Sequence, residues 1–480
     1  MKKSTLLIIA ALIGLLVTAF YTGVRNYQST YVVVGGVAYD NSVTQMDLSG
    51  AENPDVDSIC ALIHLEKLDL RETGLSIAQY EQLRKALPTC EIAWQVPFQG
   101  QYLEPDTKQL SISSLNQEDL ECLKYFSKLE SIRAVECEDL DMIMALRELY
   151  PHVKITYRVA LDGRKLPSST KYVQVKDPDI RELQERLKYL PEMKTVFLTG
   201  KLPDNDRVFE LVNAYPEISF RWNVKLLDMK FPNTSREIDI SWNQLDGVEE
   251  VEAVLKYFPD LEKVIMCRCG LSNEVMDAFR KSQEKVKIVW SVKVRFFWVR
   301  TDATYLMPYQ YGCRKLSNKD VDSLKYLTDL VCIDFGHMNI TDLSFLYSMP
   351  DVKYLIVADC GVRDITPIGS LKKLEYLEIF FNSITDISPL AGCTELRDLN
   401  MCHNWVTDIT PLLELEHLEH LWIKNNPLSW DQYEQLQEAF PDARIKFYSK
   451  NSSSTGDGWR QIPRYYEQRD YLGMWYTREY

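Results

Sequence analysis

Residues 374–412 read LEYLEIFFNSITDISPLAGCTELRDLNMCHNWVTDITPL and say one phrase twice. The phrase is Leu-x-x-Leu-x-(Ile/Met)-x-x-Asn-x-(Ile/Val)-Thr-Asp-Ile-(Ser/Thr)-Pro-Leu, starting at Leu374 and again at Leu396. Working outward, the same kind of start recurs at Leu65, Leu129, Met193, Leu261, Leu330, Val352 and Leu418. The last five starts are 22 residues apart, and the first four are separated by 64, 64 and 68.

A fixed period of this length predicts a solenoid, because each repeat is one supersecondary unit that buries its apolar face only by stacking on the next. The core Leu-x-x-Leu-x-Leu-x-x-Asn/Cys-x-Leu is that of the leucine-rich repeat. The expected fold class is therefore α/β: a leucine-rich repeat solenoid with a parallel concave sheet and short helices on the convex side, preceded by one transmembrane helix. The ninth position reads Thr73, Cys137, Cys269, Cys360, Asn382, Asn404 and Asn426. A buried Asn or Cys there satisfies turn backbone that would otherwise lack partners. Cys137, Cys269 and Cys360 are thus read as a structural ladder with the three asparagines. Eleven cysteines in an exported domain would otherwise suggest a disulfide framework.

The 64-residue period divides into three coils. After each Leu-x-x-Leu unit comes a helical stretch, stopped by Pro88, Pro151, Pro216 or Pro441, and then a strand carrying Trp94, Tyr157, Trp222, Trp290 or Phe447. These aromatics stand 28 or 29 residues after their unit's start and are read as core packing. Hairpins follow in VPFQGQYL, VALDGRKL and VKLLDMKF, with Gly100, Gly163 and Asp228 at matching turn positions. Gly36 marks a similar hairpin ahead of Met46, so the array begins at about residue 30. The count comes to roughly nineteen coils, or about 90 Å of stack at ~4.8 Å per strand.

In the 22-residue units, Thr-Asp-Ile-Thr/Ser-Pro-Leu at 385–390 and 407–412 is read as a hydroxyl N-cap followed by Pro at the first helical position. From Leu330 to about Pro427 the chain resembles the listerial internalins and related bacterial surface leucine-rich repeat proteins, and the earlier units resemble them loosely. The resemblance implies the fold and a bacterial source; it carries over no binding residues. A C-terminal Leu-Pro-x-Thr-Gly sorting signal is not seen, so attachment to the wall in the internalin manner is not implied.

The N-terminus is the segment with an address. Between Lys3 and Arg25 lie 21 uncharged residues including LLIIAALIGLLVTAF, enough to span a bilayer, and Lys2 and Lys3 precede them. The positive-inside bias keeps the start in the cytoplasm and exports the rest. Residues 4–24 are therefore expected to be a single-pass membrane anchor; a cleavable signal peptide ending near Ala19, and a secreted protein, is the alternative. The expected organisation is residues 1–26 as cytoplasmic stub and anchor, 27–328 as irregular repeats in three-coil units, 329–449 as regular 22-residue repeats, and 450–480 as a Ser-rich linker with an aromatic tail. A net charge of −14 argues against nucleic acid as a partner.

Residues between the inward leucines face the concave surface. In the last coils these include Tyr354, Ile356 and Asp359; Tyr376, Glu378, Phe380 and Phe381; Asp398, Asn400 and His403; and His420, Trp422, Lys424 and Asn425. Aromatics edged by Asp, His and Lys resemble interaction hot spots, so these are the candidate contacts for a protein, peptide or glycan. The competing reading is that the tail Trp459–Tyr480, with its seven aromatics, docks over them as a cap. No nucleophile, metal or phosphate-binding constellation stands out, so neither catalysis nor a metal or cofactor is expected. Two functions remain: a cell-surface binding protein acting through its concave face, or a structural spacer and assembly scaffold in the cell envelope without a dedicated ligand.

Overall fold

The computed structural model describes residues 16–18, 30–448 and 454–473. The apolar run at 4–24 lies outside these apart from Leu16–Thr18, and among the described residues no helix is long and apolar enough to cross a membrane. The chain forms two compact units, Met1–Trp222 and Asn223–Tyr480.

In the first unit, short parallel strands come in sets of three: Gln45–Asp47, Lys67–Asp69 and Glu91–Ala93; Gln109–Ser111, Ser131–Ala134 and Lys154–Leu161; Tyr172–Lys176, Thr195–Thr199 and Ser219–Arg221. The second unit has one more such set, Glu237–Asp239, Lys263–Ile265 and Lys287–Val289, and then a seven-stranded parallel sheet running from Tyr305–Leu306 to Arg444–Lys446. That makes nineteen parallel strands among the described residues, one for each coil counted in the sequence. In the large sheet Leu355, Leu377, Leu399 and Leu421 lie in register and are fully buried. Burying each contributes about 1.5–3 kcal/mol, realised only when the neighbouring coil is present.

Hairpins interrupt the stack where the turn residues place them. Val96–Phe98 pairs with Gln101–Leu103, Lys154–Leu161 with Arg164–Pro167, and Asn223–Leu226 with Met229–Pro232. Gly100 and Gly163 take the left-handed backbone that such two-residue turns require. A further hairpin, Ser291–Val294 with Phe297–Arg300, turns through Arg295-Phe296, which carries no glycine to announce it.

Coil length selects the helix type. The longer coils hold ten-residue α-helices at Ile77–Ala86, Leu140–Leu149, Asn205–Ala214, Asn273–Ser282 and Trp430–Ala439. Each has an Ser or Asp N-cap whose side chain accepts from the third helical N–H. The 22-residue coils have room only for five-residue 3-10 turns such as Thr366–Ser370 and Ser388–Gly392. Here the expected hydroxyl cap is corrected: the cap positions are Ile365 and Ile387, which supply no side-chain cap, and the aspartate just before each accepts from the first N–H of the turn. Asp364 Oδ1 accepts from Thr366 N at 2.8 Å and Asp386 Oδ1 from Ser388 N at 2.8 Å, because the hydroxyl residue is already inside the turn.

The asparagine ladder is built as its position in the repeat requires. Asn382 donates to the carbonyls of Val357 (2.9 Å) and Ile379 (3.0 Å), while its oxygen accepts from the N–H groups of Cys360 (3.1 Å) and Val362 (3.0 Å). Asn404 and Asn426 repeat the pattern one coil on. Cys360 and Cys269 direct their thiols at Phe335 O (3.1 Å) and Ile240 O (3.4 Å). Cys137 is buried, but its thiol lies 4.0 Å from Asp139 O within its own turn rather than across to the preceding coil. All eleven cysteines are free thiols.

Candidate functional site

The C-terminal concave face is occupied by the chain's own tail. Residues 459–461 form a 3-10 turn and Pro463–Tyr471 a helix, and Trp459, Ile462 and Leu472 are buried in one cluster with Tyr354, Ile356, Tyr376, Phe380 and Trp422. Trp459 is the centre. Its ring lies 5.4 Å from Tyr376 and 5.1 Å, edge to face, from Trp422. Its Nε1 donates to Glu378 Oε1 at 2.9 Å, and Tyr376 donates its hydroxyl proton to the same oxygen. Burial pushes the Glu378 carboxyl above its ordinary range.

Polar ties run the length of the contact. Asn400 Nδ2 donates to Ser454 O and Trp422 Nε1 to Gly456 O, both at 2.9 Å. Lys424 pairs with Asp457 at 3.0 Å, and Tyr354 donates to Glu467 at 2.8 Å. Arg464 bridges Asp398 (3.2 Å) and Glu419 (2.8 Å), while His420 Nδ1 lies 2.7 Å from Asp398. Asp398, Glu419 and His420 are close enough together to suggest a cation site. Their carboxylate oxygens are instead engaged by the guanidinium groups of Arg464 and Arg397.

The candidate contacts therefore divide. Tyr354, Ile356, Tyr376, Glu378, Phe380, Asn400, Trp422 and Lys424 are buried, and His420 is mostly covered. The expectation that they form an exposed patch is corrected: the tail removes from water the apolar surface that a bare sheet would leave open. Phe381 and His403 are not on the sheet face at all. They occupy the left-handed position just before the ladder asparagine, with φ of 53° and 57°, and stack on each other at 4.0 Å along the coil rim. His337, Asp359 and Asn425 take the same position in their coils, joined by His337–Asp359 (3.0 Å) and Asn425–His403 (2.9 Å) contacts.

A second face carries no such cover among the described residues. In the Glu237–Asp239, Lys263–Ile265 and Lys287–Val289 set, the rim positions are Trp242 and Arg268. Two residues past the paired strand ends, Ser241, Cys267 and Ser291 line up as a floor of small side chains. Trp298, from the unannounced hairpin, completes a cavity of about 550 Å³ that Asp239 and Arg300 also line. Arg268 Cζ lies 3.8 Å from the Trp298 ring centre and 5.1 Å from that of Trp242, which is 72% exposed. Sequence reading passed over these residues. The available signal was that Trp242 and Arg268 immediately precede the ladder residues Asn243 and Cys269, as Phe381 and His403 precede theirs.

No protein-family model matches the chain, and no curated protein does. Solved structures do. Internalin C2 of Listeria monocytogenes matches at 20% identity over 40% of this chain and 73% of its own, with a TM-score of 0.23. Internalin InlF of the same organism matches at 16% identity over 87% of this chain and 84% of its own, TM-score 0.26. The Leptospira interrogans leucine-rich repeat protein LIC12759 matches at 16% identity over 85% and 90%, TM-score 0.26. Two of these three are internalins and the third is a leucine-rich repeat protein. At these TM-scores the details of the architecture rest on the strand ladder described above.

Proposed function

We propose that this chain is a non-catalytic recognition protein of the cell surface, held to the membrane by residues 4–24 with its repeats outside. We place its contact with a protein, peptide or glycan on the open concave cavity between Trp242 and Trp298, not on the C-terminal face. The observation that carries this is the contrast between the faces: Trp422 and Tyr376 are sealed by Trp459, whereas Trp242 stands open beside a cavity. Exposed aromatics with an adjoining Arg are the composition of binding hot spots. The net charge of −14 weighs against nucleic acid.

The spacer reading draws support from one feature, the tail that closes the C-terminal face. An array of glycans, peptides and surface proteins, probed with the detergent-solubilised full chain and its Trp242→Ser and Trp459→Ala variants, separates the two. Binding lost with Trp242→Ser supports the open face. Binding that appears only with Trp459→Ala assigns recognition to the covered face, and no binding by any form leaves the scaffold.

A further inference from the structure

We propose that the cavity walled by Trp242, Arg268 and Trp298 binds a carboxylate-bearing sugar of an acidic glycan, with Arg268 as the partner of the carboxylate. The proposal rests on the open-face reading above and names the ligand's chemistry.

Arg268 is the uncommitted cation of the cavity. Its neighbours are already paired: Arg300 makes two bonds to Asp302, at 2.9 and 2.8 Å, and Lys263 bonds Glu237 at 2.8 Å. Asp239 has one oxygen engaged by the Ser241 N–H at 2.8 Å. The Arg268 guanidinium has no hydrogen-bond or ion-pair partner among the described residues; what holds it is the two indole faces. Cation–π stacking fixes the plane of the group without using its N–H donors, so the fork is pre-set for a planar anion. A carboxylate accepts two parallel N–H bonds from such a fork, which is the strongest pairing the site offers.

The rest of the cavity selects a sugar over an acidic peptide. The open ring of Trp242 presents a negative face to polarised C–H groups, which a pyranose carries on one side. Asp239 is an acceptor for ring hydroxyls, and the small floor of Ser241, Cys267 and Ser291 leaves depth for a ring. A sugar acid joins anion, hydroxyls and C–H face in one rigid body, so little conformational entropy is lost on binding. An acidic side chain of a peptide supplies the anion alone. The protein's own negative charge opposes approach, and at physiological salt that field is screened beyond about 8 Å, so recognition is local.

The test uses the full chain in detergent and titration calorimetry with an oligoglucuronate and a neutral glucose oligomer of equal length. The oligoglucuronate is expected to bind about 10- to 100-fold more tightly, the range of a charged hydrogen-bonded contact. Arg268→Gln should reduce it to the neutral level with an unchanged melting curve, and Trp242→Ala should weaken both oligomers. Equal binding of the two oligomers, or an Arg268→Gln variant that binds as the parent does, overturns the proposal. So does displacement by a polyglutamate peptide at equal affinity, which would make this an acidic-peptide site. If no acidic sugar binds while array ligands still depend on Trp242, the sugar assignment fails and the open-face reading stands.

Discussion

Replacing Trp459 with alanine tests whether the tail is an integral part of the repeat domain. The side chain is fully buried between Tyr376 and Trp422, and its Nε1 is one of two donors on the buried carboxylate of Glu378. Truncating a buried Trp to Ala costs about 3–5 kcal/mol, and the lost donor on a buried charged group is part of that cost. Most of it should not appear as global unfolding. The tail is a terminal segment, and its release leaves the Leu355–Leu377–Leu399–Leu421 ladder intact, so opening is local. Hydrogen exchange of the helix Pro463–Tyr471 and of the Leu472 N–H, which bonds Gln468 O at 3.2 Å, reads that opening directly. At about 1.4 kcal/mol per decade the exchange should accelerate by roughly two to four orders of magnitude. Trp459→Phe keeps the ring but not the donor and should fall well short of this, by about 1–3 kcal/mol in all. Protection within a few-fold of the parent protein in Trp459→Ala would show that the tail is held elsewhere and that the cluster is not its anchor.

Arg464→Met leaves the fully buried Asp398 with His420 alone; removing one partner of a buried pair costs about 3–5 kcal/mol, seen as faster proteolysis of the tail, and Asp398→Asn added to it should restore part of the loss. Burial raises Glu378, so the closed state holds a proton that the open state has released between its ordinary pKa and the raised one. Tail docking should therefore gain a contribution from Glu378 as pH falls through that window, and Glu378→Gln should reduce the slope to what Asp334 and Glu419, which also face the tail, supply; a parent profile identical to the variant's would contradict it. Asn404→Ala deprives buried turn backbone of bonds at 2.9 and 3.0 Å and should cost about 1–3 kcal/mol or more of stability, read as a lower midpoint of denaturant unfolding at unchanged slope. Native thiol titration should find little reactivity beyond the partly exposed Cys60 and Cys267 on the floor of the open cavity, because burial pushes Cys360, Cys393 and Cys402 up to about 12, while unfolding should release all eleven thiols.

Much of this protein was determined by local pattern. The 22-residue period, the Asn and Cys ladder at Cys360, Asn382, Asn404 and Asn426, the buried aromatics Trp94, Tyr157 and Trp290, and the turns at Gly100 and Gly163 were all legible. Each answers to a rule acting within a few residues or between adjacent coils: periodicity, backbone satisfaction, left-handed glycine. The role of the aspartates before the short helical turns was missed, since the hydroxyl and the aspartate both satisfy the composition and only backbone geometry places the hydroxyl inside the turn and the aspartate ahead of it.

What the tertiary structure alone decided is which face is open. Period and register place Tyr376, Glu378 and Trp422 outward from the sheet whether or not anything covers them, and Trp459 lies 81 residues beyond Glu378. Trp242, Arg268 and Trp298 come from two coils and a hairpin with no turn signature, so no short window holds their meeting. Repeats constrain neighbours along the stack, whereas contacts between a stack and its own end, or between a hairpin and a rim, depend on chain segments whose separation no period encodes.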